Sequence, residues 1–331
     1  MWKKVHCAVQ GRGHIKNQVP CQDKTFCYQE NGVLVAALAD GAGSAKLSHY
    51  GAACITEYIA KDLAKYFDLY YNCDDGRAIK KQLLSKIIHK LDGLCDELQC
   101  ERRDCASTLL VVAVTDDRFI LMHIGDGVIG YSKQSQLKVA SLPENGEFSN
   151  VTVFTTSPEA LSTMKLLKGN LGEIDSFVMM SDGTQAGLYS KREKRLSSAL
   201  LKVADYVRYF PEVTVHNMLK QSLENVVKQV TSDDCSIIIL AKNYNKDIRS
   251  LPIREQRRLL EIRSIKASER KRLIRLRSIL AMLEKPISLN DIAKKFHLKD
   301  KYAKKYVDFL VNKGIVQEKN NKYIFLDESA E

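Results

Sequence analysis

Three aspartates in this chain stand where an apolar run ends, and each is followed by glycine. They are Asp40 after VLVAALA, Asp126 after FILMHIG and Asp182 after FVMMS, and the acidic pair Asp233-Asp234 comes just before the apolar run CSIIIL. A carboxylate at the end of a buried strand lies at the rim of its sheet, and the glycine lets the backbone turn sharply and approach a ligand. Several such carboxylates from distant parts of the chain are what a site for hard divalent cations needs.

Aspartate-glycine is also a common turn dipeptide, so one such pair alone would indicate a hairpin turn. Asp75-Gly76 and Asp92-Gly93 are predicted to be an ordinary loop and a pair within a helix. The others differ in context, because each adjoins an apolar strand. Gln22-Asp23 adds one more carboxylate, in the loop before a strand that begins near Lys24.

The elements that must position these side chains alternate between strand-like and helix-like patterns up to residue 242. Two long helices are predicted over about 48–67 and 77–99, and two more near 195–208 and 214–229. Neighbouring strands joined by short turns indicate hairpins and largely antiparallel sheets, so the pattern favours an α+β layered sandwich over a doubly wound parallel sheet. The predicted strands, rich in Val, Ile and Phe, are 4–9, 24–30, 33–39, 107–115, 118–124, 127–132, 151–156, 174–180 and 235–241.

The C-terminal quarter has a different charge and a different pattern. From Lys246 onward the chain has 22 Lys and Arg against 12 Asp and Glu, a net charge of +10 out of the total of +11. A long basic helix is predicted over 250–284, ended by Pro286, and two shorter helices and a hairpin follow it. Helices followed by a hairpin over some sixty residues are typical of a winged helix-turn-helix.

These patterns predict three parts. Residues 1–245 form the carboxylate-bearing domain, 246–285 a long basic linker helix, and 286–331 the remainder of the winged-helix-like domain, whose first helix begins near residue 270. The change in net charge near residue 246 indicates that the first part and the basic C-terminal quarter have different partners.

Several classes of protein are excluded by pattern. No run of eighteen apolar residues exists, and the N-terminal segment is too polar for a secretory signal, so a cytoplasmic protein without a membrane span is expected. The nine cysteines are predicted to be reduced thiols, and the five-residue step of Cys95, Cys100 and Cys105 matches no zinc template. The segment after Asp40 lacks the third glycine of a dinucleotide-binding loop, and Met180 stands where a haloacid-dehalogenase-type phosphatase needs aspartate.

The ordered set of short motifs resembles the metal-dependent protein phosphatases of type 2C. That family has, in order, Glu-Asp or Gln-Asp, Asp-Gly-x-Gly, Gly-Ser-Thr, Gly-Asp, Ser-Asp-Gly and Asp-Asn-x-Ser/Thr. The resemblance covers about residues 1–242 and implies a four-layer α-β-β-α sandwich of two mainly antiparallel sheets, here followed by a small winged helix-turn-helix domain. The matching segments are Gln22-Asp23, Asp40-Gly41-Ala42-Gly43, Ser107-Thr108, Gly125-Asp126, Ser181-Asp182-Gly183 and Asp233-Asp234-Cys235-Ser236.

The resemblance also implies a role for each matching residue. Asp40 would bridge two metal ions, and the Gly41 carbonyl would complete the shell of one of them. Asp182 and Asp233 would be ligands of the first ion. The ions would be Mn²⁺ or Mg²⁺, since all the candidate ligands are oxygen donors.

Two further carboxylates and a phosphate contact complete the implied site. Asp23 would hold metal-bound waters as a second catalytic residue beside Asp40, and Asp126 would be associated with a weaker third ion. Gln18 occupies the position at which the family usually has a phosphate-binding arginine. Arg12 or His14 is the candidate for that contact instead, and the alternatives are Lys16 or a surface-loop role for all three residues. Ala42 also occupies a position where many animal members carry a histidine.

The expected function is hydrolysis of serine and threonine phosphoesters in proteins, by attack of a water that bridges two divalent ions. The partners would be a phosphorylated protein and the cognate Ser/Thr kinase. The basic C-terminal domain would dock either DNA or RNA, or another protein, through lysines on or near its third helix, or it would have a structural role alone. The alternative is a winged-helix regulator or DNA-binding protein whose phosphatase-like domain is a sensor or is inactive. The four lysines concerned are Lys299, Lys301, Lys304 and Lys305.

Overall fold

The computed structural model describes residues 1–143, 152–244, 246–262 and 267–326. The chain forms two compact units. The first unit comprises Met1–Ala204 and Met218–Lys242, and the second comprises Asp205–Asn217 and Asn243–Glu331. Within the described ranges, no helix has both the length and the apolar character needed to cross a bilayer.

The bounds of the elements follow in chain order. The strands are β1 (Trp2–Val9), β2 (Lys24–Glu30), β3 (Val33–Ala39), β4 (Leu109–Val114), β5 (Arg118–Ile124), β6 (Val128–Lys133), β7 (Gln136–Ser141), β8 (Lys165–Asn170), β9 (Ile174–Met180), β10 (Tyr189–Ser190), β11 (Arg195–Leu196), β12 (Cys235–Lys242), β13 (Ile287–Ser288), β14 (Val316–Lys319) and β15 (Lys322–Phe325). The helices are α1 (Arg12–Asn17), α2 (Ser48–Asn72), α3 (Gly76–Leu98), α4 (Ala160–Thr163), α5 (Asp182–Leu188), α6 (Ala199–Tyr209), α7 (Glu212–Asn225), α8 (Ile253–Leu259), α9 (Ala267–Met282), α10 (Leu289–Lys295) and α11 (Asp300–Asn312).

Two five-stranded sheets build the first unit. Their strand orders are β1-β12-β9-β6-β7 and β2-β3-β4-β5-β8, and all the neighbouring strands are antiparallel. The continuous apolar run of β3 is explained by burial on both faces. Its even-numbered residues lie in the core between the sheets, and its odd-numbered residues pack under α2 and α3.

Helices cover the outer face of each sheet. On the second sheet, α2 and α3 contribute a buried apolar stripe to the core that they share with β3, β4 and β5. On the first sheet, Lys220 and Glu224 of α7 lie near Cys7, whose side chain points to the outer face of β1. The predicted α+β sandwich with antiparallel sheets is therefore confirmed, with the layer order helix, sheet, sheet, helix.

The second unit has its own small sheet and core. Its three strands are antiparallel in the order β13-β15-β14. The N-terminus of α10 is closed by a capping box between Ser288 and Asp291. Thr214 Oγ1 donates to the carbonyl oxygen of Gly314 at 2.7 Å, which ties the segment Asp205–Asn217 into this unit. The apolar core includes Leu273, Leu276, Ile279, Ile292, Ala303, Val307, Leu310, Tyr323 and Phe325.

Two predicted elements differ from the structure, and several observed elements were not predicted. The long basic helix predicted over 250–284 is wrong: α8 ends at Leu259, the backbone leaves helical geometry at Glu261 (φ +57°), and α9 begins at Ala267. Residue 151 of the strand predicted over 151–156 lies outside the described residues, and the described remainder forms only an isolated bridge. The sequence patterns also missed α1, β7 and β8, which are short or of mixed polarity.

Candidate active site

A cleft of about 170 Å³ in the first unit collects the carboxylates that the sequence singled out. Asp40 follows β3 and Asp126 follows β5, so both come from the second sheet. Asp182 follows β9 and Asp233 precedes β12, so both come from the first sheet. The two sheets thus contribute acidic residues to one place. The residues that line the cleft are His14, Gln22, Asp40, Gly41, Ala42, Gly43, Thr108, Asp126, Thr152, Phe154, Asp182 and Asp233.

The loop that carries Asp40 is fixed by the strand beside it. The Asp40 backbone N–H donates to Thr108 Oγ1 at 2.9 Å, and the Thr108 N–H donates back to the Asp40 carbonyl oxygen at 2.8 Å. Gly41 continues this pairing in a bridge with Ser107. A Cβ at Gly41 would lie 2.8 Å from the Ser48 side chain, so glycine is required for this approach.

Asp182 stands at the first turn of α5, directly after β9. Ser181 is the N-cap of this helix and is still in an extended conformation, so the helix begins at Asp182. A Cβ at Gly183 would lie 2.0 Å from the Asp234 carbonyl oxygen. The glycine therefore lets the loop before β12 pack against α5, which brings Asp233 next to Asp182.

Asp23 lies beneath the cleft and is almost completely buried, with 1% exposure. Burial is the main cause that raises its pKa to about 7, with a further contribution from the charge of Asp234. The hydroxyl groups of Ser236 and Ser181 oppose the shift. Among the described residues, no group makes a hydrogen bond of good geometry to either carboxylate oxygen. A buried carboxylate left in this state is unfavourable unless a cation or ordered water completes it.

Asp40 and Asp182 also have pKa values raised by burial and by neighbouring carboxylates. Burial raises the pKa of Asp40 well above its ordinary value, and the charges of Asp23, Asp182 and Asp233 raise it further. The pKa of Asp182 is raised by burial and by the charges of Asp126 and Asp233, and its Oδ1 has no hydrogen-bond partner in the described part of the chain. Clustered carboxylates with unsatisfied oxygens fit divalent cations that prefer oxygen ligands, such as Mg²⁺ and Mn²⁺.

Asp126 sits at the edge of this cluster. Its Oδ2 accepts a hydrogen bond from Thr152 Oγ1 at 2.7 Å, and its backbone carbonyl accepts one from Gln185 Nε2 at 2.7 Å. One of its carboxylate oxygens is therefore already engaged by the protein, unlike those of Asp23.

Asp234 has a different task from its neighbour Asp233. Its Oδ1 and Oδ2 accept hydrogen bonds from the backbone N–H groups of Gly11 and Gln22, each at 2.6 Å. The Nδ1 atom of His14 lies 2.9 Å from Oδ1, at ion-pair distance although off the line of a good hydrogen bond. The carboxylate thus anchors the segment that carries α1 and Asp23. The sequence alone assigned Asp234 no role of its own, because these contacts span more than 200 positions.

The two phosphate-contact candidates separate in the structure. His14 lines the cleft from α1. Arg12 is exposed, and its Nε and Nη2 donate to the Thr231 carbonyl oxygen at 3.1 and 3.0 Å. Ala42 is buried on the cleft wall, so no imidazole enters from that position.

The four lysines predicted to dock a partner belong to the second unit and are far from the carboxylates in sequence. Lys299 is the N-cap of α11, and Lys301, Lys304 and Lys305 lie on its first turns. All four are exposed. Lys305 also lines a cleft of about 360 Å³ between α9 and α11, beside Arg272, Arg275, Tyr302 and Tyr306.

Comparison with known proteins agrees with the fold and the motifs. A sequence model described as "Protein phosphatase 2C" matches residues 10–228, about two thirds of the chain. Serine/threonine-protein phosphatase 3 of Escherichia coli is 24% identical over 259 residues, which cover 72% of this chain and 98% of that protein.

Solved structures with the same fold include two bacterial phosphatases. The S. agalactiae serine/threonine phosphatase superposes with a TM-score of 0.50 at 17% identity, covering 73% of this chain and 99% of that one. Serine/threonine phosphatase Stp1 from Staphylococcus aureus superposes with a TM-score of 0.50 at 14% identity, covering 73% and 96%. Since the family model spans more than half of the sequence, the chain belongs to the protein phosphatase 2C family.

Proposed function

We propose that this protein is a metal-dependent phosphatase acting on phosphoserine and phosphothreonine in proteins, with Mn²⁺ or Mg²⁺ held at the carboxylate cleft. The observation that carries the proposal is the meeting of Asp40, Asp126, Asp182 and Asp233 in one cleft above the buried Asp23. Family membership supports the same reaction. The alternative, a regulator with an inactive phosphatase-like domain, is less well supported because the whole carboxylate set is present.

The side chains divide the work of holding two ions. Asp40 lies close enough to both Asp23 and Asp182 for their charges to raise its pKa. Such a position suits a carboxylate shared between ions, and the Gly41 carbonyl adds a neutral oxygen. Asp182 and Asp233 would complete the coordination shell of one ion. Asp23 would orient the waters bound to the ions, and Asp126 would hold a weaker third ion. Divalent ions bound there would supply hydroxide near neutral pH and would neutralise charge on the phosphate oxygens.

His14 is the better supported of the two candidates for contact with the phosphate. Its imidazole is on the cleft wall, and its Nδ1 lies 2.9 Å from Asp234 Oδ1. An imidazole N–H there would donate a hydrogen bond to a phosphate oxygen or a proton to the leaving group. Arg12 would have to release the Thr231 carbonyl to take the same role.

The proposal is tested by hydrolysis of p-nitrophenyl phosphate and of a phosphothreonine peptide, with and without Mn²⁺. Asp182→Asn is expected to lower kcat/KM at least about 100-fold, because even residues that only orient metal ligands are worth 10- to 100-fold. Asp92→Asn is the matched control, since Asp92 also precedes a glycine but lies on α3, outside the cleft. Metal-independent turnover, or equal activity of the two variants, would contradict the proposal.

The second unit is proposed to be a winged helix that docks a partner. It has the order helix, strand, helix, helix, hairpin, from α9 to β15. The cleft between α9 and α11 combines the cations of Arg272, Arg275 and Lys305 with two tyrosine rings. Cations beside aromatic rings suit a phosphate-bearing chain such as DNA or RNA, and equally an acidic protein segment.

Duplex binding separates these two kinds of partner. If DNA is docked, the affinity for a labelled duplex falls steeply with salt, and replacing Lys301 and Lys304 by alanine lowers the log–log slope by about 2. Replacing the exposed pair Lys191 and Arg192 of the first unit by alanine should leave the slope unchanged. Absence of any duplex binding at low salt would contradict DNA docking.

A Ser/Thr kinase would supply the phosphorylated substrate, and we place both proteins in the cytoplasm. None of the nine cysteines of the chain, all of which the structure describes, forms a disulfide, although three lie close together. Reduced thiols at this density are typical of a reducing compartment.

A further inference from the structure

Three cysteines that are five residues apart in the sequence meet in space. Cys95 is on the last turn of α3, Cys100 follows that helix, and Cys105 ends a 3₁₀ turn over Arg102–Cys105. Their Sγ atoms all lie within 4.8 Å of one another. The remaining cysteines of the described chain form no such group.

The backbone, rather than side-chain adjustment, creates this cluster. Gln99 takes a left-handed conformation (φ +51°) at the end of α3, and the Cys100 N–H donates to the Cys95 carbonyl oxygen at 3.1 Å. This closure of a helix end returns Cys100 over Cys95. The following turn is fixed by a capping box between Glu101 and Asp104, which brings Cys105 back to the same point.

One of the distances between the sulfur atoms matches that of a metal-thiolate site. With a zinc–sulfur bond of about 2.3 Å, two thiolates on a tetrahedral ion are separated by about 3.8 Å. Cys100 Sγ and Cys105 Sγ are 3.8 Å apart. Cys95 and Cys105 are buried, with 7% and 0% exposure, whereas Cys100 is partly exposed. Partial exposure at Cys100 gives an ion a path to the cluster and leaves room for water as a fourth ligand.

We propose that Cys95, Cys100 and Cys105 bind one thiophilic metal ion, of the class of Zn²⁺ and Cu⁺, through three thiolates. On binding, each S–H group releases its proton to solvent and its sulfur forms a bond to the ion. Thiolates select such soft ions, whereas the carboxylate cleft selects Mg²⁺ or Mn²⁺, so the two sites discriminate by ligand chemistry.

The position of the cluster connects it to the segment that supports Asp40. Directly after Cys105, the Ala106 carbonyl oxygen accepts a hydrogen bond from the Ala42 N–H at 2.9 Å. Just before it, the Asp104 carbonyl oxygen accepts one from the Leu47 N–H at 2.9 Å. An ion held here would fasten the end of α3 to this segment without entering the cleft.

The test uses the full-length, reduced protein titrated with Cd²⁺ as the probe, read by the ultraviolet thiolate-to-metal charge-transfer band. Carboxylates give no such band, so binding at the cleft does not interfere. The wild type is expected to take up one equivalent, and Cys100→Ser to lose the band. Cys73→Ser is the matched control, because Cys73 is also partly exposed but lies at the opposite end of α3. It should keep the full band.

Competition then ranks the ions in the wild type: Cu⁺ should displace Cd²⁺ stoichiometrically, whereas Zn²⁺, which binds thiolates more weakly than Cd²⁺, should displace it only when in excess. A second variant, Cys95→Ser, should also lose the band while far-ultraviolet circular dichroism shows that the fold is kept. The proposal is overturned if the wild type shows no band, or if the band persists in Cys100→Ser. It is also overturned if the reduced protein binds no ion and mild oxidation instead joins Cys100 to Cys105.

Discussion

At the scale of single residues, the site is a concentration of buried negative charge. Asp23 and Asp40 both have raised pKa values because they are buried beside other carboxylates. Folding alone does not favour such an arrangement, and bound cations would relieve it. The carboxylate of Asp234, by contrast, accepts hydrogen bonds from backbone N–H groups. Asp234 therefore has a structural role, whereas the adjacent Asp233 lines the cleft.

Asp234→Asn tests that structural role. The asparagine oxygen can replace one of the two acceptors, but its NH₂ group must face the N–H of Gly11 or Gln22. We expect a loss of about 1–3 kcal/mol in the free energy of unfolding, the cost of an unsatisfied buried donor. Urea denaturation measures it, with Asp96→Asn, on the exposed face of α3, as the control. A loss no larger than the control's would show that these bonds contribute little.

His123 gives a prediction about pH. Burial, together with the charge of Lys165, lowers its pKa to about 3, and its Nδ1 lies 2.6 Å from Ser141 Oγ. Between about pH 6.5 and 3 the unfolded state binds a proton that the folded state does not, so stability falls as the pH falls through this window. The slope is about 1.4 kcal/mol per pH unit, or about 2 kcal/mol between pH 6.5 and pH 5.

In His123→Asn this contribution disappears, while the Ser141 contact can be kept. Urea denaturation at pH 7 and pH 5 should therefore show a smaller difference in the variant than in the wild type. His89→Asn, at an exposed position of α3, should retain the wild-type difference. Equal pH dependence of His123→Asn and the wild type would disprove the assignment.

At the scale of elements, strand ends and helix ends carry both the site and its support. The carboxylates follow β3, β5 and β9 or precede β12, where a chain leaving a sheet can present a side chain to a shared rim. Helix α3 is held at both ends by local motifs. Its N-terminus is capped by Asp75, and its C-terminus is closed at Gln99.

Asp75→Ala is expected to destabilise the protein by about 1 kcal/mol. The Asp75 side chain accepts hydrogen bonds from the backbone N–H groups of Arg77 and Ala78, both at 2.9 Å, and loss of such a cap typically has this effect. Thermal or urea unfolding measures the change. Asp74→Ala removes a neighbouring exposed carboxylate that makes no cap, and should be near neutral. If both variants lose the same stability, general charge effects and not the cap explain the result.

At the scale of the whole molecule, the two units are interleaved in sequence. The second unit takes Asp205–Asn217 from the middle of the chain as well as the C-terminal quarter. Within this unit, Asp205 forms ion pairs with Arg208 and Arg258, and Thr214 bonds to Gly314. The sequence prediction placed all of residues 1–245 in one domain, whereas in the structure Asp205–Asn217 groups with the second unit.

A chain that ends at residue 244 should therefore be less stable than the full-length protein. It would keep Asp205–Asn217 but lose Arg258 and Gly314, which leaves Asp205 with one ion-pair partner fewer and Thr214 without its acceptor. Differential scanning calorimetry should show a lower thermal midpoint, and light scattering should show more aggregation on heating. An unchanged midpoint would mean that the segment contributes nothing to the stability of the chain.

The sequence by itself determined the antiparallel sandwich and the set of strand-end aspartates. Both depend on local pattern: apolar runs, alternation and the glycine after each carboxylate. Only the tertiary structure showed which segment Asp234 anchors and that His14, not Arg12, lines the cleft. It also showed that Cys95, Cys100 and Cys105 meet. It also divided the predicted basic helix at Glu261. These features depend on contacts between distant segments, or on single left-handed residues such as Gln99 and Glu261, which leave no periodic signal in the sequence.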